Sequence, residues 1–200
     1  AARTDTVFPV YIRAGLAWED EEFQALERFI SALANKNVQL VTTIPAPADA
    51  LYDDHWSVTG DWVPEAATAS SALFLPGRNV LLLSLAAIWC SMHGVSRLAI
   101  GSLWGNPFPD STLDFFESFS RSLSLGLAHE ISIEAPYRNL NKEEIIQSNA
   151  DLPLELTLTC MAPRGGVHCG DCNKCEERRT AFDKAGISDR TAYNTRREGA

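Results

Sequence analysis

Apolar residues recur along the chain with two different periods. Short runs rich in β-branched and aromatic residues, such as residues 7–12 (VFPVYI), are typical of strands buried in a sheet. Longer stretches repeat apolar residues at helical spacing, as Phe23, Leu26 and Ile30 do. The pattern predicts strands at residues 7–12, 38–43, 97–101 and 130–134, and helices at residues 18–34, 78–93, 110–125 and 140–148 and a last one that ends at Ala185. Strands that alternate with helices favour an α/β fold with a doubly wound, mostly parallel sheet.

Local signals mark the ends and the burial of several helices. Asn141 and Glu144 have the three-residue spacing of a capping box. Gly186 directly follows the last predicted helix, at the position where glycine commonly ends a helix. The helix predicted at residues 78–93 is apolar almost all round, which indicates burial between layers. Residues 45–76 contain four prolines and no sustained period, and a stretch of this length is typical of a lid or a binding loop.

Composition and charge narrow the class of protein. The 200 residues are 46% apolar and 22% charged, which is ordinary for a folded globular chain. The 17 Lys and Arg against 26 Asp and Glu give a net charge of −9, which argues against a protein that grips a polynucleotide but allows a small anionic ligand in a local positive site. The longest apolar stretch, residues 80–90, is interrupted by Ser84 and is far shorter than the ~20 residues of a membrane span. With no basic leader at its start, the chain is expected to be cytoplasmic.

Four of the five cysteines lie close together in the sequence. They are Cys160, Cys169, Cys172 and Cys175. Their spacing, C-x8-C-x2-C-x2-C, lets neighbouring thiolates reach one ion, and four thiolates with no open position are typical of a structural zinc site. The alternatives are an iron–sulfur cluster, a site in which His168 replaces a cysteine, and unconnected core thiols. Cys90 stands apart on the apolar helix and is interpreted as a small core residue rather than a nucleophile.

A second candidate site is the PGRN sequence at residues 76–79, directly before the apolar helix. The start of a helix offers backbone N–H groups and its dipole to an anion. Arg78 adds a full positive charge, and Asn79 can cap the helix. The alternative is a plain turn followed by a helix cap.

A third candidate is the loop that follows the strand at residues 97–101 and begins at Gly101. It lies at the carboxyl end of a strand, where open α/β sheets place their ligands. Phe108, together with Trp104, could stack on a flat ring, and Asp110 could accept hydrogen bonds from a base-like edge. The alternative is a hydrophobic loop in which Asp110 caps the next helix. No arrangement of catalytic residues can be argued from spacing, so these stay unassigned.

In combination, these residues resemble the 7-cyano-7-deazaguanine synthase family of PP-loop ATP pyrophosphatases. The resemblance is carried by LPGRNVLLLSLA at residues 75–86, the PFPD sequence that ends at Asp110, EAPYRNLNKEEII at residues 134–146, and LTLTC followed by HCGDCNKCEERRTAF at residues 156–182. It covers residues 70–187 well and the preceding part loosely. The order PGRN, TLTC and CGxCxxCxxR is specific to that family, whereas no single piece is.

The resemblance implies a Rossmann-like fold of the adenine nucleotide alpha hydrolase type with a C-terminal four-cysteine zinc knuckle and helix. It also implies a ligase of queuosine biosynthesis, in which ATP adenylates the carboxylate of 7-carboxy-7-deazaguanine, ammonia gives the amide, and a second ATP drives loss of AMP to form the nitrile. The implied cofactors are structural Zn²⁺, ATP and Mg²⁺. The implied partners are small-molecule substrates, with a homodimer as a further candidate and nucleic acid disfavoured. The expected substrate- or nucleotide-binding residues are Arg78, Asn79, Gly101, Phe108 and Asp110.

The chain departs from the family pattern in two places. The family has a Ser-Gly-Gly-x-Asp-Ser loop that cradles pyrophosphate, and no such sequence occurs in the 200 residues. Because the first strand of a doubly wound sheet lies in its middle, we expect a strand, loop and helix upstream, and we expect no ATP turnover without them. After Asp110 the family usually has Cys-Arg, whereas this chain has Ser111-Thr112. A related small carboxylate is therefore an alternative substrate.

The predicted organisation is a Rossmann-like nucleotide-binding domain at residues 1–152 with a lid-like loop at 45–76, a zinc-binding subdomain at residues 153–189 and a tail at residues 190–200. Two other functions stay open at this point. One is a PP-loop enzyme that modifies tRNA or a protein, although the net charge of −9 argues against tRNA. The other is a non-catalytic, zinc-stabilised nucleotide-binding module.

Overall fold

A computed structural model describes residues 5–194, in which strands and helices alternate. The strands are β1 (Val10–Arg13), β2 (Thr42–Pro45), β3 (Arg97–Ala99) and β4 (Ser132–Glu134). The helices are α1 (Glu19–Leu33), α2 (Asp49–Tyr52), α3 (Trp56–Thr59), α4 (Arg78–Met92), α5 (Leu113–Leu127), α6 (Lys142–Ser148) and α7 (Asn173–Ala185), with 3-10 turns at Ser70–Leu73, Pro109–Ser111 and Leu154–Leu156. The chain divides into two compact units. The first contains the residues up to Thr68 and from Ile146 onwards, and the second is Ala69–Ile145.

In the first unit, β1 and β2 pair in parallel, with Val10 beside Thr42. Helix α1 connects them. Its first residue, Glu19, is buried, and its carboxylate accepts hydrogen bonds from the backbone N–H groups of Ala14 (2.6 Å) and Gly15 (3.1 Å). An acid in the first turn also suits the helix dipole. This carboxylate therefore holds the turn between β1 and α1.

In the second unit, β3 and β4 pair in parallel, with Leu98 beside Ile133. The buried core of this unit consists of Leu83, Ala87, Cys90, Leu98, Phe116 and Ile131. The N–H groups of Ile131 and Ile133, which point away from β3, donate to serine hydroxyls of α5 at 2.9 and 3.0 Å. Serine side chains of α5 thus accept these two N–H groups at the outer edge of β4, which would otherwise be open to pairing with another strand. Cys90 lies in the core, as predicted, and burial raises the pKa of its thiol.

The parallel pairing of strands in an α/β chain is confirmed. Among residues 5–194 the strands form two separate two-stranded sheets, β1–β2 and β3–β4, so the doubly wound order of a single sheet stays a prediction. The predicted boundary between residues 152 and 153 also stays a prediction. It separates a nucleotide-binding part from a zinc-binding part, whereas the two units above are defined by compactness. Residues 195–200 of the predicted tail lie outside the described residues.

Several boundaries differ from the predicted ones. Helix α5 begins at Leu113 rather than at Asp110, because Thr112 is its N-cap and accepts the N–H of Phe115 at 3.2 Å. Residues 45–76, predicted as a loop, contain α2, α3 and a 3-10 turn, each of four residues. Elements this short leave no period in the sequence. The function of this stretch as a lid stays a prediction.

Helix α4 is covered on one face only, among the described residues. Leu83 and Ala87 are buried, whereas Ile88 and Met92 are 48% and 77% exposed. The predicted burial between two layers is therefore observed for one side of the helix. None of the helices in the described part of the chain is long and apolar enough to span a membrane.

Candidate functional site

The four clustered cysteines meet at one buried point of the first unit. Cys160 follows the 3-10 turn at Leu154–Leu156, and Cys169 lies in the loop after it. Cys172 is the N-cap of α7, and Cys175 lies in its first turn. The four Sγ atoms all lie within 4.8 Å of one another, and none of the side chains is more than 4% exposed.

The spacing of the sulfur atoms fits a single tetrahedral ion. A Zn–S bond measures about 2.3 Å, and a tetrahedron of that radius has an edge of about 3.8 Å. The observed Sγ–Sγ distances are 3.5 Å from Cys172 to Cys175, 3.8 Å from Cys169 to Cys175, and 4.0 Å from Cys160 to Cys172. In an iron–sulfur cluster the thiolates are divided among different iron atoms and stand farther apart. The spacing therefore favours one zinc ion over a cluster.

Backbone amides surround the sulfur atoms. The N–H groups of Cys169 and Ala162 point to Cys160 Sγ at 3.2 and 3.3 Å, and that of Asp171 points to Cys169 Sγ at 3.4 Å. Gly170 makes this tight turn with a φ of +86°, which only glycine adopts without strain. Hydrogen bonds of this kind stabilise the charged form of a thiol, so the surroundings suit metal-bound thiolates.

The thiols depend on one another for their ionisation. Hydrogen bonding with Cys160 lowers the pKa of the Cys169 thiol to about 6 and holds the pKa of Cys172 below its usual value. Hydrogen bonding with Cys169 in turn raises the pKa of Cys160. Four thiolates this close repel one another, and a central cation is what allows all four to be ionised together.

His168 is not a ligand in this arrangement. Its Nε2 accepts a hydrogen bond from the N–H of Thr159 at 3.2 Å, and its ring stands edge-on to Tyr193 at 5.6 Å. Burial, and to a smaller extent the charge of Arg178, lowers the pKa of His168 to about 4. The ring is therefore neutral, and its Nε2 lone pair is already engaged. The interpretation in which His168 replaces a cysteine is not favoured.

Asn173 attaches the preceding part of the chain to the cysteine turn, which the sequence reasoning missed. Its N–H donates to the carbonyl of Pro64 at 3.0 Å, and its Nδ2 donates to the carbonyl of Thr68 at 2.6 Å. Glu65 also forms an antiparallel bridge with Cys172. The turn that carries the clustered cysteines thus holds the stretch predicted as a lid. The position between two cysteines of a C-x2-C step accepts many residues, so nothing in the sequence pointed to Asn173.

Helix α4 begins at the predicted anion-binding residues. Gly77 is its N-cap, with a φ of +75°, and Arg78 is its first residue. The Nε atom of Arg78 is buried and has no hydrogen-bond partner among residues 5–194. Because a buried donor without an acceptor costs free energy, this atom favours an anionic or carbonyl oxygen of a ligand.

Asn79 and Asp110 lie together, although 31 residues separate them. Asp110 Oδ2 accepts the N–H of Asn79 at 3.0 Å, and Asn79 Nδ2 donates to the carbonyl of Asp110 (3.0 Å) and to Ser111 Oγ (2.9 Å). Asp110 therefore caps α4. The alternative in which it caps the following helix is wrong, because Thr112 does so. One of the N–H groups expected to face an anion thus already has a carboxylate acceptor.

The loop after β3 presents aromatic surface. The rings of Phe108 and Phe74 are stacked, with centroids 5.2 Å apart and planes at 27°. Trp104 is 68% exposed. Gly101 follows β3 closely, and a Cβ atom at this position would meet no atom within 4 Å. Stacking of a ligand ring on Phe108 stays a prediction. Phe74 lies in a stretch without a period and was not identified from the sequence.

Replacing Asp110 by alanine is expected to lower the free energy of unfolding by about 1–2 kcal/mol, because α4 loses its cap and the Asn79 N–H loses its acceptor. Urea denaturation of the purified chain measures this difference. Asp114→Ala is the matched control, since Asp114 is an exposed acid in the first turn of α5, and we expect a change below about 0.5 kcal/mol. Equal losses in the two variants would contradict the capping role of Asp110.

Comparison with known proteins extends these observations. A family model described as "Queuosine biosynthesis protein QueC" matches residues 11–186. The 7-cyano-7-deazaguanine synthase of Methanobrevibacter smithii is 34% identical over 131 residues, which cover 62% of this chain and 56% of that protein. The protein of the same name from Methanococcus maripaludis is 32% identical over 161 residues, covering 75% and 66%. That from Methanothrix thermoacetophila is 28% identical over 205 residues, covering 94% and 87%. The chain spans less than two thirds of the length of the first two of these relatives.

Proposed function

The chain belongs to the QueC family of queuosine biosynthesis proteins, and on this premise we propose that it is part of an ATP-dependent ligase that converts 7-carboxy-7-deazaguanine and ammonia to 7-cyano-7-deazaguanine. The observation that carries the proposal is the family match over residues 11–186, a span that includes both the cysteine cluster and the start of α4. Ser111 and Thr112, which replace the expected Cys-Arg pair, leave a related small carboxylate as a variant of the proposal.

Each step that consumes ATP replaces a poor leaving group by a good one. A carboxylate oxygen attacks the α-phosphorus and pyrophosphate leaves, and ammonia then attacks the acyl carbon, so that AMP leaves and a proton is lost to give the amide. The amide oxygen attacks the α-phosphorus of a second ATP, and loss of pyrophosphate, AMP and the two N–H protons gives the nitrile. The protein's part is to hold the reacting atoms in line and to stabilise the negative charge that spreads over the phosphate.

Arg78 is the residue of this chain best suited to that charge. Its guanidinium offers a planar fork of N–H donors, and its buried Nε lacks an acceptor among the described residues, which supports contact with a phosphate or carboxylate oxygen. Phe108, stacked on Phe74, offers ring surface to a flat deazapurine. Asn79 and Asp110 bind each other, so their role is to hold the helix start that presents Arg78. Gly101 stays a candidate at the carboxyl end of β3.

The proposed cofactors are of two kinds, a structural metal ion and a metal ion that accompanies the nucleotide. The four cysteines would hold structural Zn²⁺, which crosslinks three stretches of the chain when bound. Four thiolates leave no position for a water or a substrate, so this centre is outside the reaction. ATP would bring Mg²⁺ to the nucleotide site. Assembly as a homodimer stays a prediction.

The names of the relatives weigh against the two other functions. The matched relatives are named 7-cyano-7-deazaguanine synthases, which supports a ligase rather than a tRNA- or protein-modifying enzyme or a non-catalytic module. The net charge of −9 also supports a free base and ATP as substrates rather than a polynucleotide.

Release of AMP that depends on both 7-carboxy-7-deazaguanine and ammonia, with the nitrile identified by mass spectrometry, tests the proposal. We expect the 200 residues alone to be inactive, because they contain no Ser-Gly-Gly-x-Asp-Ser sequence, and we expect activity when a strand–loop–helix segment with that loop is joined upstream. In the active form, Arg78→Met should lower kcat/KM by about 100-fold. Arg121→Met, which removes an exposed charge on α5, should not.

Three results would contradict parts of this proposal. Neither AMP nor nitrile from the extended chain would exclude the ligase. Turnover by the 200 residues alone would exclude the need for the phosphate loop. Equal kcat/KM values for the Arg78→Met and Arg121→Met variants would exclude Arg78 from the binding site.

A further inference from the structure

Arg178 is a buried cation near the cysteine cluster, where it interacts electrostatically with Cys175. Its side chain lies on α7 and is 4% exposed. The guanidinium donates to Thr191 Oγ1 at 2.8 Å, to Thr157 Oγ1 at 3.0 Å and to the carbonyl of Leu154 at 2.7 Å. All three acceptors are neutral oxygen atoms. The positive charge therefore lacks a directly bonded anion.

A buried charge with neutral partners needs an anion nearby, because removal from water costs several kcal/mol. One such anion is Asp189, whose carboxylate is held by the hydroxyl of Tyr193 at 2.6 Å. A second one is the cysteine cluster, since four thiolates on a divalent ion would carry a net charge of about −2, and Cys175 also interacts electrostatically with Arg178. Cys175 stands three residues before Arg178 on α7, so the two side chains share one face of the helix.

The same guanidinium joins the stretches of chain that carry the ligands. Thr157 lies three residues before Cys160, and Arg178 itself is on the helix that carries Cys175. Arg178 also donates to Thr191, and the carbonyl of the residue after it, Ala192, accepts the N–H of His168 at 3.2 Å. His168 directly precedes Cys169, so this contact connects Arg178 to a third stretch that carries a cysteine.

We propose that Arg178 is a positioning residue for the metal centre, acting as the internal counter-cation of the thiolates and as the tie between the stretches that supply them. It touches neither the metal nor a substrate. Its function is to lower the free-energy cost of burying four thiolates inside the protein. It also holds the stretches that carry the cysteines in fixed positions relative to one another. This role concerns the metal centre alone and does not depend on which carboxylate the enzyme uses.

The test is the affinity of the full chain for Zn²⁺ and Co²⁺, measured by competition with a chelator. Outer partners of metal ligands typically change affinity by about 10–100-fold, and we expect Arg178→Met to weaken binding by that factor. Arg178→Lys keeps the charge but loses the planar fork, so we expect a loss of about 3-fold. Lys184→Met removes an exposed charge from the last turn of the same helix and should leave the affinity unchanged.

The absorption of the Co²⁺-loaded chain separates a charge effect from packing. A cation near the sulfur atoms lowers the energy of their electrons, so its loss should shift the thiolate-to-cobalt charge-transfer band to longer wavelength in Arg178→Met and less in Arg178→Lys. Equal affinities and equal spectra for the two Arg178 variants would overturn the counter-cation role. An affinity of Arg178→Met within about 3-fold of the unaltered chain would overturn the proposal as a whole.

If Arg178→Met does not fold, Thr157→Val and Thr191→Val carry the test, because each removes one acceptor and keeps the charge. We then expect metal affinity to fall several-fold in both variants while the charge-transfer band stays in place. Unchanged affinity in both would overturn the positioning role.

Discussion

Removal of the metal, by a chelator or by Cys175→Ala, is expected to unfold the first unit of the protein. Cys175 is fully buried, and its Sγ lies within 4.8 Å of three other sulfur atoms. The apparent binding free energy of a structural zinc ion is about 10–16 kcal/mol, whereas a domain is stable by about 5–15 kcal/mol in all. The binding free energy of the ion is therefore as large as the whole free energy of unfolding of a typical domain, so its loss should unfold the unit.

Circular dichroism and thermal unfolding, with and without chelator, measure this effect. Cys90→Ala is the matched control, because Cys90 is also a buried cysteine but lies in the core of the second unit. We expect Cys90→Ala to keep its metal and to unfold cooperatively, and elemental analysis to find about one zinc per chain. A chain that unfolds at the same temperature after metal removal would contradict the structural role, and iron–sulfur absorbance would contradict zinc.

Metal loss should also release the stretch held by Asn173. The carbonyls of Pro64 and Thr68 accept from this residue, and the neighbouring Trp62 is 95% exposed. We expect limited proteolysis near Trp62 to accelerate in the metal-free chain. Protection that is equal in the two forms would show that this stretch is held independently of the cysteine turn.

Phe116→Ala should lower the stability of the second unit by about 3–5 kcal/mol. Phe116 is 2% exposed and packs in the core with Leu83 of α4 and Leu98 of β3. Truncation of a buried ring loses its transfer free energy and leaves a cavity that the surroundings fill only in part. Since α4 carries Arg78 at its start, the same change should weaken the proposed nucleotide site.

Leu125→Ala is the control for this prediction, since Leu125 is on the same helix but 84% exposed. We expect its effect on the free energy of unfolding to stay within about 0.5 kcal/mol. Denaturant titrations followed by fluorescence compare the two variants. Similar midpoints for Phe116→Ala and Leu125→Ala would show that the core does not depend on this ring.

Features that depend on neighbouring residues were predictable from the sequence. The capping box is confirmed, since the N–H of Asn141 donates to Glu144 Oε2 at 2.8 Å and the N–H of Glu144 donates to Asn141 Oδ1 at 2.9 Å. Helix α7 ends at Gly186, which adopts a φ of +67°. The four-cysteine cluster belongs to the same class, because a C-x2-C step brings two thiols together by itself. In the capping box, the helix end and the C-x2-C steps, the partners lie within a few residues, so local geometry settles the outcome.

Features that depend on distant residues needed the tertiary structure. Asp110 was predicted to bind a base-like edge or to cap the next helix, but only the fold shows that its carboxylate caps α4 through the N–H of Asn79, 31 residues earlier. The spacing C-x2-C-x2-R was visible, yet the burial of Arg178 among neutral oxygens was not. The sequence by itself determined the α/β alternation, the family and the four-cysteine cluster, because periodicity and short spacings encode them. The tertiary structure decided which polar groups meet across the chain, because a hydrogen bond between distant residues leaves no period and no spacing to read.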